Sequence, residues 1–535
     1  MATRFDMTKQ RRITRRTVLR GGAIGAGALA GAFLLACGGD DDDSSSSPSG
    51  APSPAAGNVK QGGVVRFGQQ ADFTVTEPHR LGTGSLVWNL YDQLIYLDKQ
   101  FNPVASLAEK WEQTPDKLQI TLKIRQGVTY HSGRPFTAED VKWNIERVQD
   151  PSAPFAQYRA IASYFNVQIA DPQTVVIKTA KPLSVLFDYF DIFMMADKDT
   201  VSDPVKMVGT GAWKLGEFKQ GSVWKMDKNP NFWGKKVNLD SIIFNVALGT
   251  PEAAIAQLDA GAIDAIYAPS ITGFARFKTD PNYQAIKHGA TGAYYLNGFN
   301  MTKPPFGDKR VRQAFSWATD RQRYSDVVLR GVQTPASLPW PTSSIAYDAK
   351  KNSFYDKLDL KKAADLLKAA GVTTLKTEAI SGVAQEAADF VQLWNNDLKS
   401  LGVTIEQVPL QSAAFIDSND NLKYDAVYVS GAGGAGIGQP VTLFVTATNI
   451  FSGDGKNNVG FKHTRWTELT DQLLVETDVN KAKTLYAEVN DIFLDEVQQS
   501  FTANRAPLIV AHKKVKNIDW RPHDSFDFYN TWLDA

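Results

Sequence analysis

At 535 residues, with 43% apolar and 21% charged side chains, the chain is too long for one hydrophobic core and too ordinary to be fibrous or wholly disordered. The formal charge of +1 hides an asymmetry: residues 1–36 hold seven Lys/Arg against the single acid Asp6, leaving 51 basic against 56 acidic groups in the remainder. That mildly acidic balance gives no reason to expect nucleic acid as a partner, and two or three domains are expected.

Residues 1–36 read as an export signal. Arg11, Arg12, Arg15, Arg16 and Arg20 precede an apolar run, 23–36, which at 14 residues is shorter than the roughly 20 needed to span a bilayer. Thr14-Arg15-Arg16-Thr17-Val18-Leu19-Arg20 resembles the twin-arginine export motif, and Leu34-Leu35-Ala36-Cys37 resembles a lipoprotein box. Cys37 is the only cysteine, so no internal disulfide forms, and its place directly after the apolar run predicts lipidation. Residues 37–58 then form a lipid-anchored linker, rich in Ser, Pro, Gly and Asp and too poor in large apolar groups to bury a core. Asp40 to Asp43 are consecutive carboxylates without the spaced ligands and turn glycine of a calcium loop.

The folded chain begins near Val59. Residues 63–69 read as a strand and 71–80 as a loop, and 85–97 place Leu86, Leu90, Tyr91 and Leu94 on one helical face with Trp88 beside it. In α/β lobes ligands sit at loops following the carboxyl ends of strands, which makes Asp72, Phe73 and Trp88 candidates; plain packing is the equal alternative for Trp88. Residues 118–124 alternate as a strand, Gly127 and Gly133 break it, and Thr137-Ala138-Glu139-Asp140 opens a helix bearing Val141, Ile145 and Val148 in a capping-box pattern. Asp171-Pro172-Gln173 turns a hairpin between 165–170 and 174–179. Residues 214–219 lack clean alternation, 223–227 and 242–246 read as strands, and Thr250-Pro251-Glu252 opens a helix that Gly261 ends.

The stretch 293–321 organises the rest. Tyr294, Tyr295 and Phe299, with Leu296 and Gly298, form a strand packed on both faces; Pro304-Pro305 and Gly307 stop it. Asp308 caps a helix carrying Val311, Ala314, Phe315 and Ala318. This strand-to-helix passage near the middle of the chain reads as a crossing between two lobes. A helix at 359–370 closed by Gly371, a strand at 375–380, a helix at 384–401 closed by Gly402, and strands at 403–408 and 424–430 continue the alternation of the α/β class. Trp394 keeps register with Ala387, Phe390, Val391, Leu398 and Leu401 and is a core residue. The Gly-rich segment 430–439 follows a strand, so Gly433 and Gly434 could admit a ligand to their backbone; a surface loop is the alternative.

Four segments together resemble the family-five solute-binding lipoproteins of ABC importers, the oligopeptide, dipeptide and nickel group. They are 107–141; Gly209-Thr210-Gly211-Ala212-Trp213 with Asn229-Pro230-Asn231-Phe232-Trp233-Gly234; Leu258-Asp259-Ala260-Gly261-Ala262-Ile263-Asp264-Ala265; and Pro304-Pro305-Phe306-Gly307-Asp308 leading to Val311-Arg312-Gln313-Ala314. The resemblance implies a two-lobed, periplasmic-binding-protein-like α/β fold of type II, in its large three-subdomain variant. Lobe I would comprise 60–88, 206–296 and 503–535, with 89–205 inserted as a subdomain; lobe II would comprise 297–502, and the hinge would lie near 294–300 and 500–504. It further implies ligand capture by lobe closure and delivery to an ABC permease and its ATPase subunits. The chain would then be a monomer outside the cytoplasm, held to the membrane or periplasmic, with no catalysis and no cofactor.

Peptide-binding relatives commonly carry an Asp near 428–449 that pairs with the peptide ammonium, and no acid occurs in 429–448. Burying an ammonium without a counter-charge is costly, so a free peptide N-terminus requires an acid from elsewhere. Aromatic platforms at Phe73, Trp88, Tyr294 and Trp340, with Asn297 on the crossing strand, are the remaining ligand candidates, each with packing as its alternative. His79, His131, His288, His463, His512 and His523 show no pair at metal-ligand spacing, so no metal site is expected, although a nickel chelate held by one His stays open. The Gly-rich loops lack the Lys of a phosphate loop, and no carboxylate pair is singled out as glycosidase-like. A lipid-tethered hydrolase and a receptor for a signalling partner stand as alternatives to transport.

Overall fold

The computed structural model describes residues 59–69, 77–79, 84–201, 206–289, 292–382, 385–432, 438–446, 448–521 and 525–534. The export segment, Cys37, the linker, Asp72, Phe73, Gly433 and Gly434 lie outside the described residues.

Three sheets organise the chain. In the seven-stranded sheet, Val64–Gly68 is central, parallel to Ser241–Asn245 and Ala265–Tyr267 on its two sides. Val65 and Phe67, two residues apart and so on one face of the strand, are fully buried, while Val64 is exposed and Arg66 half-buried on the other. Val223–Lys228 and Trp213–Lys219 extend one edge and Leu508–His512 and Tyr283–Lys287 the other, all antiparallel to their neighbours. The six-stranded sheet runs Thr334–Pro335, Gln499–Arg505, Ala293–Phe299, Val427–Ala432, Leu375–Ser381, Val403–Pro409. A four-stranded antiparallel sheet, Ala108–Gln113, Gln119–Ile124, Thr174–Thr179 and Phe165–Asp171, includes the predicted hairpin. No helix among the described residues is long and apolar enough to cross a membrane.

Most expected elements form where caps and glycines place them. Asp308 caps Lys309–Trp317 by accepting the Arg310 N–H at 2.9 Å, Thr250 caps Pro251–Asp259, and Gly371 and Gly402 follow helix ends at φ +77° and +73°. The 85–97 expectation is corrected: the helix is Gly84–Leu90, and Ile95–Leu97 is a strand paired with Pro103–Ala105. Tertiary hydrogen bonds override the helical period there, since buried Asp92 accepts the Thr210 hydroxyl and the Trp233 indole N–H, each at 2.8 Å. Residues 214–219 lie in an edge strand, Trp213–Lys219, whose register shifts between Leu215 and Phe218 and so scrambles the alternation.

The two large sheets are joined by two passages of chain, one between Lys287 and Ala293, the other between Arg505 and Leu508. The flanking strands Ala293–Phe299 and Gln499–Arg505, expected at the crossing itself, lie wholly in the six-stranded sheet and pair with each other. Gly298 is required by a close approach: a Cβ there would stand 1.9 Å from the Tyr428 ring. The segment carrying the four-stranded sheet also rests on the half of the molecule built on the six-stranded sheet. Asp188 accepts the Thr442 hydroxyl at 2.6 Å and the Gln439 N–H at 3.3 Å, and the Ser184 hydroxyl donates to the Leu473 carbonyl at 2.7 Å.

Three residues on, Asp191 is buried and accepts the Leu97 N–H at 2.8 Å. Burial pushes its carboxyl up to about 7, against the opposing pull of that N–H and of Arg521. The folded chain therefore keeps a proton that the unfolded chain releases near pH 4, so the stabilising contribution is whole below that pH and is lost as pH rises through 7. Asp191→Asn retains an acceptor for Leu97 but does not titrate. Its urea midpoint should gain on the parent's steadily from pH 4 to 7.5, whereas parallel curves would contradict the assignment.

Candidate ligand-binding site

A cavity of about 770 Å3 lies between the two large sheets, within the roughly 300–1,000 Å3 usual for small-molecule sites. It sits beyond the carboxyl ends of parallel strands, where α/β sheets generally hold ligands. On one wall the chain leaving Ser241–Asn245 supplies Gly249 and Thr250, and the chain leaving Ala265–Tyr267 supplies Tyr267, Ala268 and Ser270. Ala268 turns there at φ +49°, a left-handed conformation that a non-glycine residue adopts only when its surroundings enforce it. Its N–H is tied to the Leu508 carbonyl at 2.9 Å.

The opposite wall belongs to the six-stranded sheet and its helices. Tyr295 and Asn297 alternate onto it from Ala293–Phe299, Tyr324 comes from a single π-helical turn, Tyr324–Val328, and Glu386 and Phe390 come from Gln385–Lys399. Such π-turns commonly mark functional positions, because the extra residue re-aims a side chain. The rings brace one another edge to face, Tyr295–Tyr324 at 6.0 Å and Tyr324–Phe390 at 4.8 Å between centroids. Burial raises both phenols, which keeps them neutral donors, with Arg505 pulling Tyr295 the other way. Arg505 reaches the cavity from the second passage. That passage is held by Gln333, whose amide donates to the Ala506 carbonyl at 3.1 Å and accepts the Ala506 N–H at 2.8 Å, imitating a strand partner.

Asn297 is the anomaly in this wall. It is 1% exposed, yet neither atom of its carboxamide has a hydrogen-bond partner among the described residues. An unpaired buried amide costs about 1–3 kcal/mol per group.

Of the sequence candidates, the structure therefore brings Asn297 to the cavity. Tyr294, one residue out of phase with Tyr295, points to the other face of the sheet and meets Phe501 edge to face at 5.0 Å. Trp88, on Gly84–Leu90, is buried and takes no part in the lining. Trp340 is corrected to a core residue: it is fully buried, donates its indole N–H to Asn490 at 2.7 Å, and packs on Phe444 and Phe493. Sequence reasoning missed Tyr267, Tyr324, Glu386 and Arg505 and assigned Phe390 to the core. For Arg505 a signal was present, a cation closing an otherwise uncharged strand at an expected crossing; for the others no local signal distinguishes cavity from core. His131 is structural, its ring bonded to the Gly211 carbonyl at 3.0 Å and its Nδ1 accepting the Gly209 N–H.

Two α/β lobes, two connecting passages and a cavity enclosed by residues of both define a two-lobed binding protein of the periplasmic type. Comparison with known proteins makes the assignment specific. The chain belongs to the bacterial extracellular solute-binding proteins, family 5, whose profile matches residues 102–488. It is 27% identical over 315 residues to heme-binding protein A of Haemophilus influenzae, covering 53% of this chain and 56% of that protein. The chain thus spans between half and two thirds of the length of the first curated relatives it matches. In fold it is similar to the periplasmic binding protein DppA of Helicobacter pylori in complex with the peptide STSA, with a TM-score of 0.77 and 21% identity over 89% of this chain and 99% of that one. It is also similar to the oligopeptide-binding protein AppA of Bacillus subtilis in complex with a nonapeptide, with a TM-score of 0.78 and 20% identity over 89% of this chain and 100% of that one.

Removing the Trp340 indole leaves Asn490 without its donor and opens a core cavity, so Trp340→Ala should cost about 3–5 kcal/mol of unfolding free energy. Affinity for a captured solute, measured well below the lowered melting point, should change little. A stable variant that no longer binds would return Trp340 to the site.

Proposed function

We propose that this chain captures a small polar solute between its lobes by closing around it, and delivers it to an ABC permease driven by separate ATPase subunits. The observation that carries the reading is the cavity itself, whose walls come from both lobes, so a bound solute gains its full set of contacts only in the closed form. Differential affinity of that kind shifts an open–closed equilibrium without any chemistry on the guest. A peptide or related solute is the class we favour: relatives are described as peptide-binding, and two similar folds hold peptides. We further propose that the twin-arginine-like segment and the 34–37 box route the chain out of the cytoplasm and anchor it by lipid at Cys37.

Two measurements test this. A panel of di- and oligopeptides, oligosaccharides, nickel chelates and opine-like compounds should contain members that raise the melting temperature, since a ligand of the folded state alone stabilises it by mass action. The same members should reduce the radius of gyration in solution scattering; turnover of any of them, or stabilisation without compaction, would count against capture by closure. Separately, Cys37→Ser should move the protein from the membrane fraction to the soluble one, and its persistence in membranes would refute the lipid anchor.

A further inference from the structure

Within the capture reading, on which this inference rests, we propose that the segment carrying the four-stranded sheet is a clasp. It travels with the half built on the seven-stranded sheet and grips the half built on the six-stranded sheet, through Ser184 and Asp188, only while the lobes are closed. Its tie to the seven-stranded half is complete. Asp92 accepts the Thr210 hydroxyl and the Trp233 indole N–H on one oxygen, each at 2.8 Å, and the Tyr529 hydroxyl on the other at 3.4 Å. His131 uses both ring nitrogens on Gly211 and Gly209, and its backbone N–H donates to the Gly209 carbonyl at 2.8 Å. A Cβ on Gly209 would stand 2.2 Å from the Leu90 carbonyl oxygen, so this junction packs backbone on backbone.

The grip on the six-stranded half is built differently. Ser184 and Asp188, four residues apart at the start of Leu186–Ile192, meet the ends of two helices. The Ser184 hydroxyl donates to the Leu473 and Leu474 carbonyls at 2.7 and 3.1 Å, and its N–H donates to the Leu474 carbonyl at 2.9 Å, in the last turn of Thr464–Val475. Asp188 takes the Gln439 N–H and the Thr442 hydroxyl, at the start of Val441–Thr446, on one oxygen, while the other oxygen has no partner among the described residues. Ser184, Asp188, Gln439 and Thr442 are all buried in this contact. Carbonyls in the last turn of a helix have no partner within it, so water replaces Ser184 when the contact parts, and Asp188 regains its hydration. Shutting the contact, by contrast, buries a carboxyl that is only half satisfied, which Asp92 avoids. A joint that opens at little cost and shuts imperfectly is reversible, whereas the Asp92 and His131 junction is not. Gln439 also ends the Gly-rich segment 430–439, whose first residue, Ser430, lines the cavity, so the clasp fixes the far end of a stretch that reaches the cavity wall.

The test measures distances between spin labels on the full chain carrying Cys37→Ser, which removes the sole native cysteine. Lys178→Cys with Lys361→Cys spans the clasp, and Lys178→Cys with Lys236→Cys reports on the tie to the seven-stranded half; all three lysines are exposed. Each pair is measured without solute and with the di- and oligopeptides, oligosaccharides, nickel chelates and opine-like compounds of the melting screen. Ser184→Ala and Thr442→Val each remove one hydroxyl, from opposite sides of the contact. In both, the ratio of short to long distances across the clasp should fall about fivefold, the effect of losing one net hydrogen bond from a two-state balance. The distance from Lys178 to Lys236 should stay single and unchanged. Asp188→Asn, which keeps an acceptor for Thr442, should hold the ratio within about twofold of the parent. A ratio that neither hydroxyl variant alters, or a shift that appears between Lys178 and Lys236 instead, overturns the clasp. Capture survives that result provided some solute of the screen shortens the distance from Lys178 to Lys361 in the parent; if none does, both readings fall.

Discussion

Everything in this molecule hangs on one antiparallel pair of strands, Ala293–Phe299 beside Gln499–Arg505. They are neighbouring inner strands of one sheet, and each adjoins a passage to the other sheet, so the hydrogen bonds between them fix where both passages meet this sheet. Their side chains are buried throughout except for one half-buried position in each, Tyr295 in the first and Arg505 in the second. The single half-open position in each, Tyr295 and Arg505, lines the cavity, as do buried Asn297 and Thr502 of the same strands. In the proposed capture, a relative movement of the lobes pivots next to the cavity lining, which would couple occupancy to closure through adjacent residues rather than through a long path.

The way buried polar groups are treated elsewhere sharpens the meaning of Asn297. Arg321 is a fully buried cation with no carboxylate bonded to it among the described residues, and burial lowers its guanidinium to about 10. Its N–H groups are nevertheless met by the carbonyls of Phe501, Ser316 and Tyr355 and by the hydroxyls of Ser316 and Ser500. Arg312 is similarly enclosed by Phe306, Gly307 and Glu496. A fold that satisfies two buried arginines this fully, on helices packed against the same sheet, has the means to satisfy an asparagine. The unpaired carboxamide of Asn297 in the cavity wall, like that of Gln498 outside it, stands apart from this pattern among the described residues.

Contacts away from the passages bear on the same equilibrium. Asp188 and Ser184 tie the segment carrying the four-stranded sheet to Gln439, Thr442 and Leu473 through short, buried hydrogen bonds. Burial raises the Asp188 carboxyl well above its ordinary range, and one of its oxygens has no partner among the described residues. The two halves are therefore held together in part by contacts outside the cavity, so in the proposed capture a guest need supply only a fraction of the free energy of closure.

The sequence by itself determined the elements and the family. Caps at Asp308 and Thr250, glycines at 261, 371 and 402, two-residue alternation in the strands and four local motifs are near-neighbour properties, set by backbone sterics and hydrogen bonding within a few residues. Tertiary structure alone decided the site. Tyr294 and Tyr295 are equivalent as sequence, and only the covering of each sheet face sends one into the core and the other into the cavity; Trp340 is hidden because Asn490, 150 positions away, takes its N–H. Glu386 and Arg505 lie 119 residues apart and line one cavity only because the tertiary fold brings their helix and strand to it. Long-range pairing of that kind leaves no trace in local pattern, which is why the clamp could be read from the chain and the grip could not.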